Sequence, residues 1–358
     1  MRYLTAGESH GEALYGIIEG LPSGLKIDCA YISELLSIRQ SVCGRGSRSK
    51  SIKDEAQIKS GVTNGVTTGA PIAVVIPNGN CGGKGEFDFY RPGHVDFAAD
   101  VKYGYGDPAL GAERASARET AMRTALGAIA LTLLKELGVS VKAFVTQIGE
   151  AKADVPLSVD ELVSCNTKAA SGIKAQIDEA AKSGDTLGGK IKLVISGLRA
   201  GIGSHAHYDR RLDYLLCGAL TSIPAVKAVE LGLGTDFACS RGSHVADGFV
   251  CDNGRICRTS NNGGGIEGGI SNGQNVELLI TVKPIPSIAA LKTVNNQGKE
   301  CLTGKVRGDV TAVPAACTVA QSVAALELTA AILETFGGDT MDELIERYSN
   351  KGNFTCKR

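Results

Sequence analysis

The sequence predicts an α+β fold in which long central helices pack between antiparallel β-sheets. Three observations carry this reading. Two stretches, roughly 116–137 and 314–336, hold Ala, Leu, Ile, Met and Val at helical spacing with few charges, the pattern of helices buried over most of their surface. Runs rich in β-branched residues, at 65–78, 188–198 and 276–282, read as strands. Strands and helices do not alternate strictly, so a doubly wound parallel sheet is not favoured.

The elements follow in order. "ALYGIIEG" (13–20) reads as a short strand ending at the "LPSG" turn, and 30–38 as a helix through Tyr31, Leu35 and Leu36. "GVTTGAPIAVVIPN" is a strand after a turn. The long helix over about 116–137 takes Ser116 as its N-cap and Gly138 as its stop. Beyond it, "GGKIKLVISGL" and "AVKAVELGLG" read as strands flanking a helix at "DYLLCGALTSI". "VELLITV" is another strand, and "PAACTVAQSVAALELTAAILETF" a second long helix. No Pro/Ser-rich linker interrupts the chain, so 1–358 is expected to form a single domain.

The chain has 358 residues, 43% apolar and 21% charged, enough for a substantial core. Lys+Arg and Asp+Glu balance at 38 each, so no global field favours nucleic acid or an anionic membrane. No run reaches the roughly eighteen continuous apolar residues of a bilayer span, and no signal peptide is evident; a cytoplasmic protein is expected. Eleven cysteines, scattered and without a CxxC pair, suit free thiols in a reducing compartment. No metal site is expected.

Chemistry-bearing residues cluster in six segments. "TAGESHGEAL" places Ser9 beside His10. Adjacent residues on an extended strand point to opposite faces, so Ser9 cannot readily use His10 as its base; no helix follows "GESHG", as a nucleophile elbow requires. An acid and a structural histidine remain open for His10. A basic loop holds Arg39, Arg45 and Arg48 among glycines, a composition suited to phosphate or carboxylate. "YRPGHVDF" presents His94 on a Pro-Gly turn. "ERASARETAMR" sets Arg114, Ser116 and Arg118 where the long helix begins, and helix N-termini attract anions. "SNNGGGIEGGISNG" (260–273) is a glycine-rich loop able to wrap a ligand with backbone N–H groups. "KVRGDVTAVP" carries Arg307 and Asp309 ahead of the last long helix.

Together these blocks resemble the chorismate synthase family along nearly the whole chain. "GESHGEALYGIIEGLP", "ERASARETAMRTALGAIA" and "NNGGGIEGGISNG" are similar to its signatures, and "RQSVCGRGSR", "SGVTNGVTTGAPIA", "RPGHVDF", "GDTLGG" and "IPAVKAVELG" match in order. The resemblance implies a helical core between antiparallel sheets, a homotetramer, and removal of phosphate and a C6 hydrogen from 5-enolpyruvylshikimate 3-phosphate to give chorismate. Reduced FMN is implied as the cofactor, and with no added dinucleotide domain an external flavin reductase is expected. By the same resemblance, His10 protonates the departing phosphate, His94 stabilises the anionic reduced flavin, and Asp309 helps the flavin accept the C6 proton. Arg39, Arg45, Arg48, Arg123 and Ser9 would bind substrate. FMN would meet Arg114, Ala115, Ser116, Pro224, Ala225, Gly268, Lys283, Pro284, Ile285, Pro286, Ser287 and Arg307.

The chain departs from the family pattern at Ile38, Gly106, Ala109, Pro224, Asn262, Gly308, Val310, Thr311 and Ala315. Several of these replace arginines, each worth roughly 1.5–3 kcal/mol in a charged contact. A divergent paralogue that binds FMN or an anionic metabolite without turnover is therefore the alternative to an active enzyme.

Overall fold

Strand β1 (Arg2–Ala6) pairs with β2 (Ala13–Glu19) in a register that sets Leu4 opposite Ile17 and Ala6 opposite Tyr15. A computed structural model describes residues 1–46, 53–79, 87–164, 167–304 and 308–350. Helix α1 (Cys29–Ser41) starts where the Asp28 side chain accepts the Tyr31 N–H, an N-cap. Strands β3 (Gln57–Ile58) and β6 (Ile72–Pro77) complete a four-stranded antiparallel sheet in the order β1-β2-β6-β3, beside a short β4 (Val62–Thr63)–β5 (Val66–Thr67) hairpin. β2 buries Leu14 and Ile18 and exposes Tyr15 and Ile17, the period-2 alternation of a sheet with one face on the core.

A second, five-stranded antiparallel sheet runs in the order β10-β15-β9-β7-β8. Its members are β7 (Ser140–Ile148), β8 (Ala151–Ser158), β9 (Gly189–Ser196), β10 (Val226–Leu231) and β15 (Val276–Val282). Two small hairpins lie between β10 and β15 in the chain: β11 (Phe249–Asp252) with β12 (Arg255–Arg258), and β13 (Ile266–Glu267) with β14 (Ile270–Ser271).

The helices fill the space between the sheets. A helical pair, α2 (Asp96–Tyr103) and α3 (Pro108–Ala115), precedes the long α4 (Thr120–Glu136). Then come α5 (Ser171–Ser183), α6 (Leu212–Thr221), α7 (Val313–Phe336) and α8 (Met341–Asn350). α4 packs under β2 and β6, and α7 under β7 and β9. The two helices cross so closely that a Cβ on Gly127 would lie 2.4 Å from the Ser322 Cβ. Small residues permit that approach and explain why α7 is Ala-rich. Among the described residues α7 is the one helix long and apolar enough to cross a bilayer, and 83% of its apolar window is buried inside the fold. The sandwich is the expected α+β architecture.

Three expectations need correction. Ser9 and His10 lie in the turn between β1 and β2, not on a strand end. Ser116 does not cap the long helix; it caps the 3-10 turn Ala117–Glu119, accepting the Arg118 N–H at 3.3 Å, and α4 starts at Thr120. An extended Ser116 (ψ 143°) ends α3 and forces this break. Finally, Cys43 and Cys251 each belong to a disulfide, whereas Cys29, Cys217, Cys239, Cys257, Cys301 and Cys317 are free. Pairing depends on Cα separation in the fold, which cysteine spacing does not report. β1, β7, β8, α5 and the α2–α3 pair carried too little periodic signal to be read as elements.

Candidate active site

Gly7 opens the first turn with φ +104°, and a side chain there would meet the Ala13 carbonyl oxygen at 2.4 Å. Only glycine permits this backbone, and it throws Ser9 and His10 towards α3. There Glu113 holds them three ways. Its carbonyl accepts the Ser9 N–H at 3.1 Å. One carboxylate oxygen accepts the His10 N–H at 2.9 Å, and the other sits 2.8 Å from His10 Nδ1. From the opposite side Asn78, just past β6, donates its Nδ2 to the carbonyls of Glu8 at 3.1 Å and Gly11 at 2.7 Å.

Asn78 also leads into a buried chain of charges. Its Oδ1 accepts Arg118 Nε at 2.8 Å, and Arg118 Nη1 bonds Asp54 at 2.6 Å. The second Asp54 oxygen lies 3.7 Å from Arg39 Nη1. Arg39, in the last turn of α1, donates further to the Ala117 carbonyl at 2.8 Å and Thr120 Oγ1 at 3.1 Å. Burial, with Arg45 beside it, pulls the Arg39 pKa down to about 9 against the pull of Asp54, so the group stays charged at neutral pH. Arg45 is ion-paired with Asp309, whose other oxygen accepts the Gly46 N–H at 2.7 Å. Arg45 Nε and Arg118 Nη2 are buried with no hydrogen-bond partner among the described residues. Unspent donors on buried cations are what an anionic ligand would take up. Arg118, noted in the sequence beside Arg114 and Ser116 at the start of the long helix but not placed with the substrate cations, stands in the 3-10 turn Ala117–Glu119.

His94 stands on the turn before α2. Its Nδ1 is hydrogen-bonded to Asp96 and lies 3.0 Å from Arg91 Nη2. Arg91 also grips Asp96 with Nε at 2.7 Å and Nη2 at 2.8 Å. Burial alone would raise the Asp96 pKa, but the hydrogen bonds from His94 and Arg91 hold it down at about 2. The turn is tied to the next segment, because Lys283 Nζ donates to the Gly93 carbonyl. From there Thr186 Oγ1 donates to the Ile285 carbonyl at 2.8 Å, and Leu187 N–H to the Val310 carbonyl at 2.8 Å. His94, the Lys283–Ser287 segment and Asp309 are thus joined through short steps.

The remaining candidates divide. Arg114 Nη2 donates to the Thr5 carbonyl at 2.9 Å, Thr5 Oγ1 donates to Glu119 at 2.8 Å, and Glu119 pairs with Arg123 at 2.9 Å. Arg123 then donates to Ser222 Oγ at 2.7 Å, two residues before Pro224. Arg123 therefore bridges the Arg114–Ser116 and Pro224–Ala225 segments rather than joining Arg39 and Arg45. Ala225 adopts φ +72° and accepts the Lys283 N–H at 2.8 Å. Gly268 lies elsewhere. Gly268 and Gly269, φ +58° and +85°, form the two-residue turn of the β13–β14 hairpin, as expected for two positive-φ glycines. That hairpin stands at the Leu231–Val276 end of the β10–β15 pair, whereas Ala225 and Lys283 stand at the Val226–Val282 end. The seven residues of β15 separate the ends, on the order of 20 Å. Arg48 and Arg307 lie outside the described residues.

A sequence profile described as chorismate synthase matches residues 1–333. The chain belongs to the chorismate synthase family. It is 43% identical to a chorismate synthase of Carboxydothermus hydrogenoformans, over 98% of this chain and 97% of that one. It is 44% identical to that of Geobacter sulfurreducens, over 97% of each. A crystal structure of chorismate synthase superposes with a TM-score of 0.78 at 34% identity, covering 98% of this chain and 96% of the other. The family's activity, elimination of phosphate from 5-enolpyruvylshikimate 3-phosphate to give chorismate, is thereby this chain's activity, and chorismate synthases as a family depend on reduced flavin. Two departures from the family pattern that stand in place of arginine, Ala109 and Ala315, are buried, at 1% and 6% exposure. Arginines could not occupy these two positions as the helices now pack, and Arg118, with a buried Nη2 that has no partner among the described residues, stands near Arg39.

Proposed function

We propose that this chorismate synthase runs its anti-1,4-elimination in the cleft bounded by the His10 turn, the Arg39–Asp54–Arg118 network, the Arg45–Asp309 pair and the His94 turn. The observation that supports the proposal is the line of contacts from the His10 turn, at the Glu8 and Gly11 carbonyls, through Asn78, Arg118 and Asp54 to Arg39, with Arg45, the partner of Asp309, near enough to lower the Arg39 pKa. A substrate with one phosphate and two carboxylates needs several fixed cations. Arg39, Arg45 and Arg118 supply them, with Arg48 of the same loop and Ser9 beside His10. His10 gives a proton to the leaving phosphate, which spares the site an unprotonated trianion. Asp309, anchored by Arg45 and the Gly46 N–H, is held as a carboxylate able to receive or relay a proton.

The residues of the cleft fit reduced FMN. Arg114 and Lys283 offer cations, Ser116 and Ser287 hydroxyls, and Ala115, Pro224, Ala225, Pro284, Ile285 and Pro286 flat apolar surface next to backbone donors; Arg307 belongs to the same expected set. When bound, reduced FMN supplies electron density to the breaking carbon–oxygen bond. His94, locked by Asp96 and Arg91, presents its other ring edge at the mouth of this segment and orients the polar edge of the ligand there. In this reading Gly268 reaches such a ligand from a second copy of the chain in the homotetramer that the family resemblance implies. In this reading the reduced cofactor is supplied by an external flavin reductase.

The test is phosphate release from 5-enolpyruvylshikimate 3-phosphate by the purified chain with photoreduced FMN, without oxygen. Stoichiometric phosphate and chorismate are expected. Tight flavin binding with no phosphate released overturns the assignment of the cleft.

A further inference from the structure

We infer that Glu113 is the positioning residue of His10: its carboxylate accepts the Nδ1–H hydrogen bond and turns Nε2 into the cleft. This rests on the reading that His10 protonates the departing phosphate. The two residues come from different elements, His10 from the β1–β2 turn and Glu113 from the last turn of α3. They meet with Nδ1 2.8 Å from one carboxylate oxygen while the other oxygen accepts the His10 N–H at 2.9 Å. The Glu113 carbonyl fixes Ser9 as well, at 3.1 Å. One residue thus sets the height, tilt and rotation of the imidazole. The Glu113 side chain is only 10% exposed and that of His10 23%, so little water competes for the contact. A carboxylate hydrogen-bonded to an imidazole N–H both selects the tautomer and stabilises the cation.

Other charges face the turn. Glu8 and Glu12 belong to it, and Arg114 reaches the Gly7 carbonyl at 3.4 Å. Arg118 and Asp54 stand behind Asn78. None of these is placed on Nδ1 as Glu113 is. His94 shows the same arrangement independently, its Nδ1 on the fully buried Asp96. In the elimination the carbon–oxygen bond breaks with its electron pair passing to the phosphate, while the C6–H bond breaks, its electron pair entering the new ring diene and its proton passing towards Asp309. The Nε2–H bond breaks as a phosphate O–H bond forms, and the neutral ring, still donating Nδ1–H to Glu113, is reprotonated by water.

The experiment measures anaerobic phosphate release with reduced FMN from about pH 6 to about pH 9 for wild type, Glu113→Gln and Glu113→Asp. Glu113→Gln is expected to lower kcat by roughly tenfold or more with KM within about threefold, and to move the alkaline limb of the profile to lower pH. Glu113→Asp is expected to recover part of the rate. A limb that stays in place, a wild-type rate in Glu113→Gln, or equal loss in both variants overturns the inference. If Glu113→Gln does not fold, ¹⁵N spectra of histidine-labelled wild type decide: the His10 signal, identified by its loss in His10→Asn, is expected to carry its proton on Nδ1, and a bare Nδ1 at neutral pH overturns the inference. Wild type that releases no phosphate would count against the proposed cleft, while the ¹⁵N spectrum would still judge the Glu113 contact alone.

Discussion

Arg45 and Asp309 stand 264 positions apart in the chain and form an ion pair in which the side chains are only 10% and 16% exposed. Backbone contacts reinforce the pair, since Gly44 accepts the Val310 N–H at 2.8 Å and Gly46 donates to Asp309 at 2.7 Å. The Arg45 loop and the entry to α7 are therefore one unit.

Removing one partner leaves the other charge buried. Asp309→Ala is expected to destabilise the fold by about 3 kcal/mol, read from urea unfolding. Asp309→Asn, which keeps the shape, is expected to slow turnover by roughly tenfold or more. A double variant, Arg45→Met with Asp309→Leu, should unfold closer to wild type than Asp309→Ala does. Equal losses in both would show that the two charges do not act as a pair.

His10→Asn and His94→Asn are each expected to lower kcat by roughly tenfold or more while flavin affinity, followed by fluorescence titration, stays near that of wild type. His10 is held by Glu113, whereas the His94 turn is tied to Lys283 through the Gly93 carbonyl. A wild-type rate in either variant would remove that residue from the chemistry.

Asp96 makes the His94 turn sensitive to acid. Its pKa is lowered from 3.8 to about 2 in the fold. A depressed carboxylate contributes stability above its unfolded pKa, and that contribution disappears as the pH falls through the folded value. The contribution, about 2 kcal/mol, should be complete above about pH 4 and gone near pH 2. Denaturation profiles of wild type and Asp96→Asn are expected to differ at neutral pH and converge at acid pH. Parallel profiles over that range would contradict the assignment.

The α4–α7 crossing leaves no room at Gly127. Its added Cβ would lie 2.4 Å from the Ser322 Cβ and 2.6 Å from the Ser322 carbonyl oxygen. Gly127→Ala gains helix propensity of about 1 kcal/mol, but overpacking costs about 1–3 kcal/mol, so a net loss is expected in thermal unfolding. Ser322→Gly in the same chain should return part of it. A more stable Gly127→Ala protein would mean that the helices can separate at little cost.

Much of the layout was legible in the residues. The strands at 13–19 and 276–282 and the helices at 29–41 and 313–336 carry their periodicity locally, and their observed bounds follow it. Around Ser116 the prediction failed because a 3-10 turn and an α-helix share the same local residue preferences, and the break was set by Arg39 and Asp54 reaching in from elsewhere. Arg118 was legible as part of a basic segment but not as a neighbour of Arg39, because its partners, Asn78 and Asp54, lie 40 and 64 positions away. Arg123, expected with the substrate cations, is held by Glu119 and Ser222.

The amino-acid order by itself determined the class of fold, the two buried helices and the ordered motif blocks that carry the family, because hydrophobic period and residue type are recorded position by position. Only the tertiary structure decided that Glu113 meets His10, that Asp54 is shared by two arginines, and that Gly268 stands at the far end of the β10–β15 pair from Lys283. Those facts depend on which strand ends and helix ends converge, and long-range packing energy, summed over the whole core, selects that convergence.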